Sequence, residues 1–285
     1  MSSLTLPGAL VSVDWLSQNL ENESLVVLDA SWHLPPSGRD GAKEWTQQHI
    51  PGARHFDFDQ KICDQTSELP HMMPDEALFT REVQALGLNQ DSCVVVYDSL
   101  GLFSAARAWW MLRSMGCQQS AVLDGGLPAW LQAGFPVHSE GQSRSPSTGD
   151  FKAVFNAEKF VDAAAVLASL KDKNHVVVDA RARPRFLGEA DEPRAGLRKG
   201  HMPGAQNLPF SELLDQGLMK SVEDLKPILS PFMSHKDQIV CSCGSGVTAC
   251  IIALAAQTCG YESISVYDGS WSEWGMPGEL PVVTS

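Results

Sequence analysis

The chain repeats itself, which restricts it to folds that can be built twice from one plan. "LVVLDASW" from Leu25 returns as "HVVVDARA" from His175, each a short β-branched run ending in Asp-Ala. "HIPGARHFDF" from His49 returns as "HMPGAQNLPF" from His201, and "VLDGGLPAWLQAGFPV" from Val122 returns as "VYDGSWSEWGMPGELPV" from Val266. Three matched blocks in one order predict a duplicated domain. The stretch "SEGQSRSPSTGD", rich in Ser, Gly and Pro, reads as the linker, giving domains at 1–138 and 151–285 joined by residues 139–150.

Within each copy, short apolar runs ("VVVYD" from Val94, "SAVLD" from Ser120, "QIVCS" from Gln238, "SISVYD" from Ser263) alternate with helical stretches such as "SAARAWWMLRSMG" and "VTACIIALAAQTCG". This alternation predicts βα units, hence an α/β fold with a parallel sheet covered by helices on both faces. Sites in such sheets form in the loops outside the carboxyl ends of the strands.

Composition removes several function classes. With 34 acidic against 21 basic residues, the formal charge of −13 repels nucleic-acid backbones and anionic lipid surfaces. The N-terminal stretch lacks the basic segment of a signal peptide, and no apolar run reaches the length of a membrane span. The expected location is therefore the cytoplasm, with the seven cysteines as thiols. A zinc site is disfavoured, since no C-x-x-C pair occurs and the C-x-C at Cys241 is followed by no His at finger spacing.

"CSCGSGVTAC", residues 241–250, lies between the strand "QIVCS" and an almost wholly apolar helix, so Cys243 opens a strand-to-helix loop. Gly244 and Gly246 let backbone N–H groups turn inward, and the helix N-terminus adds its positive end; a thiolate there is stabilised. A small buried core cysteine is the competing reading. Phosphatase chemistry, which needs C-x5-R, is excluded because the sixth position after Cys243 is Ala249. Sulfur transfer through a persulfide remains. Aligning "VVVYD" on "IVCSC" puts Asp98 where Cys243 stands, and a carboxylate cannot accept sulfane sulfur, so the first copy should be inert. Cys241 reads as strand filler, with a redox role as the alternative.

The motifs "HIPGA", "HMPGA", "DGSWSEWG" and the loop "CGSGVTA" resemble those of tandem rhodanese-family sulfurtransferases, the loop being similar to that of members using 3-mercaptopyruvate. The resemblance spans nearly the whole chain. It implies two rhodanese-like domains, only the C-terminal one catalytic, with no metal or organic cofactor. It implies that Cys243 carries the persulfide and that Gly244, Gly246, Val247 and Thr248 contact the substrate. Thiosulfate-using members resemble C-R-K-G-V-T, but here Gly244 and Ser245 replace the two cations.

Residues 181–199 concentrate six basic side chains: Arg181, Arg183, Arg185, Arg194, Arg198 and Lys199. From the residues alone, these either bind an anion or pair on the surface with Glu189, Asp191 and Glu192. The resemblance picks out Arg185 and Arg194 as ligands of the substrate carboxylate and ketone. It also implies a relay of Ser245, His71 and Asp59, the last two reaching across from the first domain. His71 otherwise reads as an exposed loop histidine, and Asp57 or Asp59 as a turn cap. The implied partners are a small sulfur donor and a thiol acceptor such as thioredoxin. A thiosulfate-using enzyme and a persulfide carrier without turnover of a small donor are the rival readings.

Overall fold

The computed structural model describes residues 4–142 and 146–284. It contains two five-stranded sheets built to one plan. In the first, β1 (Leu10–Val11), β2 (Leu25–Asp29), β3 (Arg54–His55), β4 (Cys93–Tyr97) and β5 (Ser120–Leu123) lie in the order β1-β5-β4-β2-β3, every neighbouring pair parallel. Alternate strand residues Val27, Val95, Tyr97 and Leu123 form one core with Leu16 of α1 (Val13–Asn19) and Trp130 of α5 (Gly126–Gln132). The residues between them, Val26, Leu28, Val94 and Val96, are equally buried, and α4 (Ala105–Ser114) packs on β4 and β5. Burial on both faces is why these strands read as unbroken apolar runs rather than alternating ones. Helices α2 (Gly41–Gln47) and α3 (Glu76–Ala85) complete this half.

The second sheet repeats the pattern with β6 (Phe160–Val161), β7 (His175–Asp179), β8 (Gln206–Asn207), β11 (Gln238–Ser242) and β12 (Ile264–Tyr267) in the order β6-β12-β11-β7-β8, again parallel throughout. A two-stranded ladder, β9 (Leu214–Asp215) and β10 (Leu218–Met219), is separate from it. Its helices are α6 (Ala163–Ser169), α7 (Arg183–Leu187), α8 (Val222–Met233), α9 (Ala249–Thr258) and α10 (Ser270–Trp274). Every residue of α9 from Ala249 to Ala256 is buried, which explains a helix that is apolar all round. Helix starts are conventional: Ser12, Asp40, Asp75, Asp162 and Ser221 each accept the N–H three residues on.

The compact units do not divide where the sequence composition suggests. The first comprises Met1–Thr66, Met73–Asn156 and Gln216–Leu218; the second comprises Ser67–Met72, Ala157–Asp215 and Met219–Ser285. Residues 143–145 of the expected linker lie outside the described residues. Its flanks are bonded to the first unit. Glu140 N–H donates to the Thr46 carbonyl (2.8 Å), Gly149 N–H to Gln84 (2.9 Å) and Asp150 N–H to Asn89 Oδ1 (3.1 Å). Phe151, 1% exposed, packs on Phe79. A Cβ on Gly149 would stand 1.8 Å from the Leu88 carbonyl oxygen, so glycine here permits close backbone approach rather than flexibility. The described parts of the expected linker, 139–142 and 146–150, are thus corrected to segments packed on the first unit, with the break at 156–157.

The two central strands end alike. Asp29 pairs with Tyr97, and Asp179 with Ser242, so Asp98 and Cys243 each stand one residue beyond equivalent positions. Asp98 is 1% exposed and closes its own loop: Oδ1 accepts from Leu100 N–H (2.9 Å), and Oδ2 from Phe103, Ser104 and Ala105 N–H (2.8, 2.9 and 2.8 Å). Hydrogen bonds to an ionised acceptor are strong, and buried N–H groups left without one are costly. Asp98→Ala is therefore expected to destabilise the protein by at least about 3 kcal/mol. Urea unfolding checks this, and an unchanged midpoint would count against it.

Candidate functional site

β11 occupies the middle of its sheet, and Cys243 follows it directly, at the carboxyl end where α/β sheets place ligands. Cys243 is 2% exposed. Its backbone is clamped by the turn into α10: Cys243 N–H donates to Ser270 Oγ (3.1 Å), and the Cys243 carbonyl accepts from Trp271 N–H (3.0 Å). The Gly244 carbonyl accepts from both Ser272 N–H (2.8 Å) and Ser272 Oγ (2.7 Å). Ser270 holds φ +48°, a left-handed conformation uncommon for a residue with a Cβ, and its hydroxyl donates to the Tyr267 carbonyl (2.8 Å). Its counterpart in the first unit is Gly126, at φ +52°. Strain is thus accepted at Ser270 for a hydroxyl that fixes the Cys243 backbone. Sequence reasoning missed Ser270, although "DGG" becoming "DGS" between the copies was the signal.

The first unit shows what this loop does to the side chain at its head. There the N–H groups of positions 100, 103, 104 and 105 converge on Asp98. Their counterparts, counted from Cys243, are Ser245, Thr248, Ala249 and Cys250. Cys250 N–H turns back to Val247 (3.2 Å), while no hydrogen bond among the described residues uses the N–H of Ser245, Val247, Thr248 or Ala249. By this correspondence the second loop presents backbone N–H groups that no acceptor among the described residues takes, a kind of turn suited to an anion. Gly246, at φ +73°, supplies the turn. Gly244 has a different reason: a Cβ there would lie 3.2 Å from Arg185 Nη2. Gly244, Gly246, Val247 and Thr248, the substrate contacts that the resemblance implies, all lie in this loop.

His71 belongs to the second unit, not the first. It is 2% exposed and holds φ +64°, and its Nδ1 lies 3.1 Å from Ser245 Oγ and 3.4 Å from the Ser245 carbonyl. With the ring proton on Nε2, Nδ1 accepts from the hydroxyl; with it on Nδ1, the ring donates. Such a pair can pass a proton either way. His71 thus comes from the first copy of the sequence, in a segment, Ser67–Met72, that packs as part of the second unit. Asp59 lies in the first unit, where Gln60 Nε2 donates to its carboxylate (2.7 Å) and Cys63 Sγ–H to its carbonyl (3.2 Å). Asp57 caps a turn, its Oδ1 accepting from Gln60 N–H (2.9 Å).

The basic cluster divides by burial. Arg183 with Glu212 (3.0 Å) and Lys199 with Asp191 (2.7 Å) are exposed pairs of little energetic weight. Arg198 Nη2 donates to the Trp274 carbonyl (2.7 Å). Glu192, expected to pair on the surface, is instead buried and accepts from both Arg181 (2.8 Å) and Arg185 (2.5 Å). Arg194 is half-buried in the irregular segment after α7. The loop after Cys243 carries the Ser245 hydroxyl, and the Arg185 guanidinium stands beside Gly244.

Cys241 is fully buried, and burial, reinforced by nearby Cys250 and Cys243, pushes its thiol far up. The filler reading fits that placement. All seven cysteines are free thiols.

The Rhodanese-like domain profile matches residues 12–133 and 162–276. The chain is 42% identical to a 3-mercaptopyruvate sulfurtransferase of Escherichia coli (strain K12) over 274 residues, covering 95% of this chain and 96% of that one. It is 44% identical to a thiosulfate sulfurtransferase of Rattus norvegicus, covering 93% and 91%. Among solved structures it is similar to SseA from Escherichia coli, described as a 3-mercaptopyruvate sulfotransferase (TM-score 0.84, 38% identity, 93% and 100% covered).

The two loop glycines give a test. Gly246→Ala forces a Cβ into a left-handed position and is expected to cost about 1–2 kcal/mol. Gly244→Ala should leave stability within about 0.5 kcal/mol, because only the movable end of Arg185 meets the added carbon. Denaturant midpoints of the two variants check this; equal losses would contradict the distinct roles.

Proposed function

The chain belongs to the rhodanese-like domain family, and on that premise we propose that it is a 3-mercaptopyruvate sulfurtransferase working through a persulfide on Cys243. The observation that carries the reading is the contrast between the two loops: the same backbone cradle is filled by a carboxylate in one unit and headed by a thiol in the other.

The steps balance as follows. Cys243 thiolate attacks the sulfur of 3-mercaptopyruvate. The carbon–sulfur bond breaks with its electron pair going to carbon, and the resulting pyruvate enolate takes a proton. The new sulfur–sulfur bond leaves a Cys243 persulfide, whose terminal sulfur passes to a thiol or to cyanide and frees the thiolate. Arg185, beside Gly244, and Arg194 hold the substrate's carboxylate and ketone, for which a planar guanidinium is suited. Ser245 and His71 exchange the proton that the substrate thiol gives up and the enolate needs. The acceptor in this reading is a small or protein thiol, thioredoxin among them. Seven free cysteines accord with a reducing cytoplasm, and no helix among the described residues is long and apolar enough to cross a membrane.

Thiosulfate is the second reading, favoured by the similarity to a thiosulfate sulfurtransferase. Against it, Gly244 and Ser245 stand where the loop of thiosulfate-using members is similar to C-R-K, and neither side chain is cationic. Steady-state assays with both donors and cyanide are expected to give a kcat/KM preference for 3-mercaptopyruvate of at least about tenfold, ~1.4 kcal/mol. A preference for thiosulfate would reverse the assignment. Treatment with 3-mercaptopyruvate alone should add one sulfur to Cys243, seen by peptide mass mapping, and Cys243→Ser should fold but not turn over. Sulfur found on another cysteine would refute the mechanism.

His71→Ala and Ser245→Ala are each expected to lower kcat by about a hundredfold, with the double variant little worse than either, as for groups acting as a unit. Multiplicative losses would mean that the two side chains act separately.

A further inference from the structure

Glu192 is the only carboxylate among the described residues that is hydrogen-bonded to both Arg181 and Arg185, and its side chain is 2% exposed. Its two oxygens are divided between them. Oε1 accepts from Arg181 Nη1 (2.8 Å), and Oε2 accepts from Arg185 Nη2 (2.5 Å) and Nε (3.2 Å). Arg181 cannot shift: it is fully buried, bidentate to Asp179 (2.7–2.9 Å), bonded to the Gly200 carbonyl (2.9 Å) and stacked 4.0 Å over Trp271. Arg185 differs, being 22% exposed at its side chain, and its Nη2 stands over Gly244, next to Cys243. Trp271, at the other end of the chain of contacts, donates its backbone N–H to the Cys243 carbonyl. The path therefore begins and ends on the Cys243 loop.

From this arrangement we infer that Glu192 is a positioning residue that sets donor affinity by aiming Arg185. By taking the Nε/Nη2 edge of that guanidinium, Glu192 leaves the end-on pair of Nη1 and Nη2 donors for a bidentate carboxylate on the substrate. The burial of Glu192 is tolerable because two cations share it, and the four groups Asp179, Arg181, Glu192 and Arg185 sum to zero charge. A side chain as long as arginine otherwise samples many rotamers, and binding would have to freeze them. The inference rests on the proposed role of Arg185 as carboxylate ligand.

Glu192→Asp keeps the charge beside Arg181 but is one methylene too short to span both arginines. With 3-mercaptopyruvate as donor and dithiothreitol as acceptor, E192D is expected to raise KM at least about tenfold while kcat stays within about threefold. Sulfur handover from preloaded persulfide to dithiothreitol, which needs no carboxylate ligand, should keep the parent's rate. In an Arg185→Ala background, E192D should change KM by less than about twofold, because its effect runs through Arg185. Parent-like KM in E192D, a fall in kcat alone, or an undiminished effect without Arg185 would each overturn the role given to Glu192. If Arg185→Ala by itself kept the parent's KM, the premise would fall and the inference with it. That result is distinct from the case in which Arg185→Ala raises KM and E192D does not.

Discussion

Everything at the site depends on one property of a parallel strand running into a helix: the backbone N–H groups of the connecting turn have no partners in either element and converge on whatever side chain heads the turn. This chain contains two such turns with two answers to the same requirement. Asp98 brings its own negative charge and satisfies four N–H groups, which makes the first turn a stable structural feature. Cys243 is a smaller group at the equivalent place, and in the proposed reaction the N–H groups of Ser245, Thr248 and Ala249 receive the charge that develops on sulfur.

The surroundings of Cys243 are built to hold that turn still. The left-handed Ser270 and the carbonyl bonds from Trp271 and Ser272 fix its backbone, and the buried Asp179–Arg181–Glu192 chain holds Arg185, whose guanidinium stands beside Gly244. A preorganised set of donors costs nothing to rearrange when charge moves, which is where such a site gains over water. His71, buried in a left-handed conformation against Ser245, belongs to the same unit, so a fragment starting at residue 151 would lack part of its own site.

Much of this was legible in the residues. The β-branched runs before Asp29 and Asp179 and the apolar helix after Cys243 announced buried parallel strands and a covered sheet, and the sheets have that form. The Asp98 and Cys243 correspondence was readable from alignment of the copies alone. Features set by tertiary packing were not. Gly149 looked like linker because composition does not reveal that a glycine is needed for close approach. Glu192 looked like a surface partner because a charged run says nothing about which members are buried, and although DGG becomes DGS between the copies, the left-handed φ that gives Ser270 its place is not written in its identity.

The most direct test is to watch the cradle while sulfur arrives. In nitrogen-labelled protein, conversion of Cys243 to the persulfide with one equivalent of 3-mercaptopyruvate should shift the amide resonances of Ser245, Thr248 and Ala249 downfield as they bond to the charged sulfur. Those of Leu100, Phe103, Ser104 and Ala105, already held by Asp98, should stay in place. Loading of Cys243 without any change at the three second-unit amides would contradict the account.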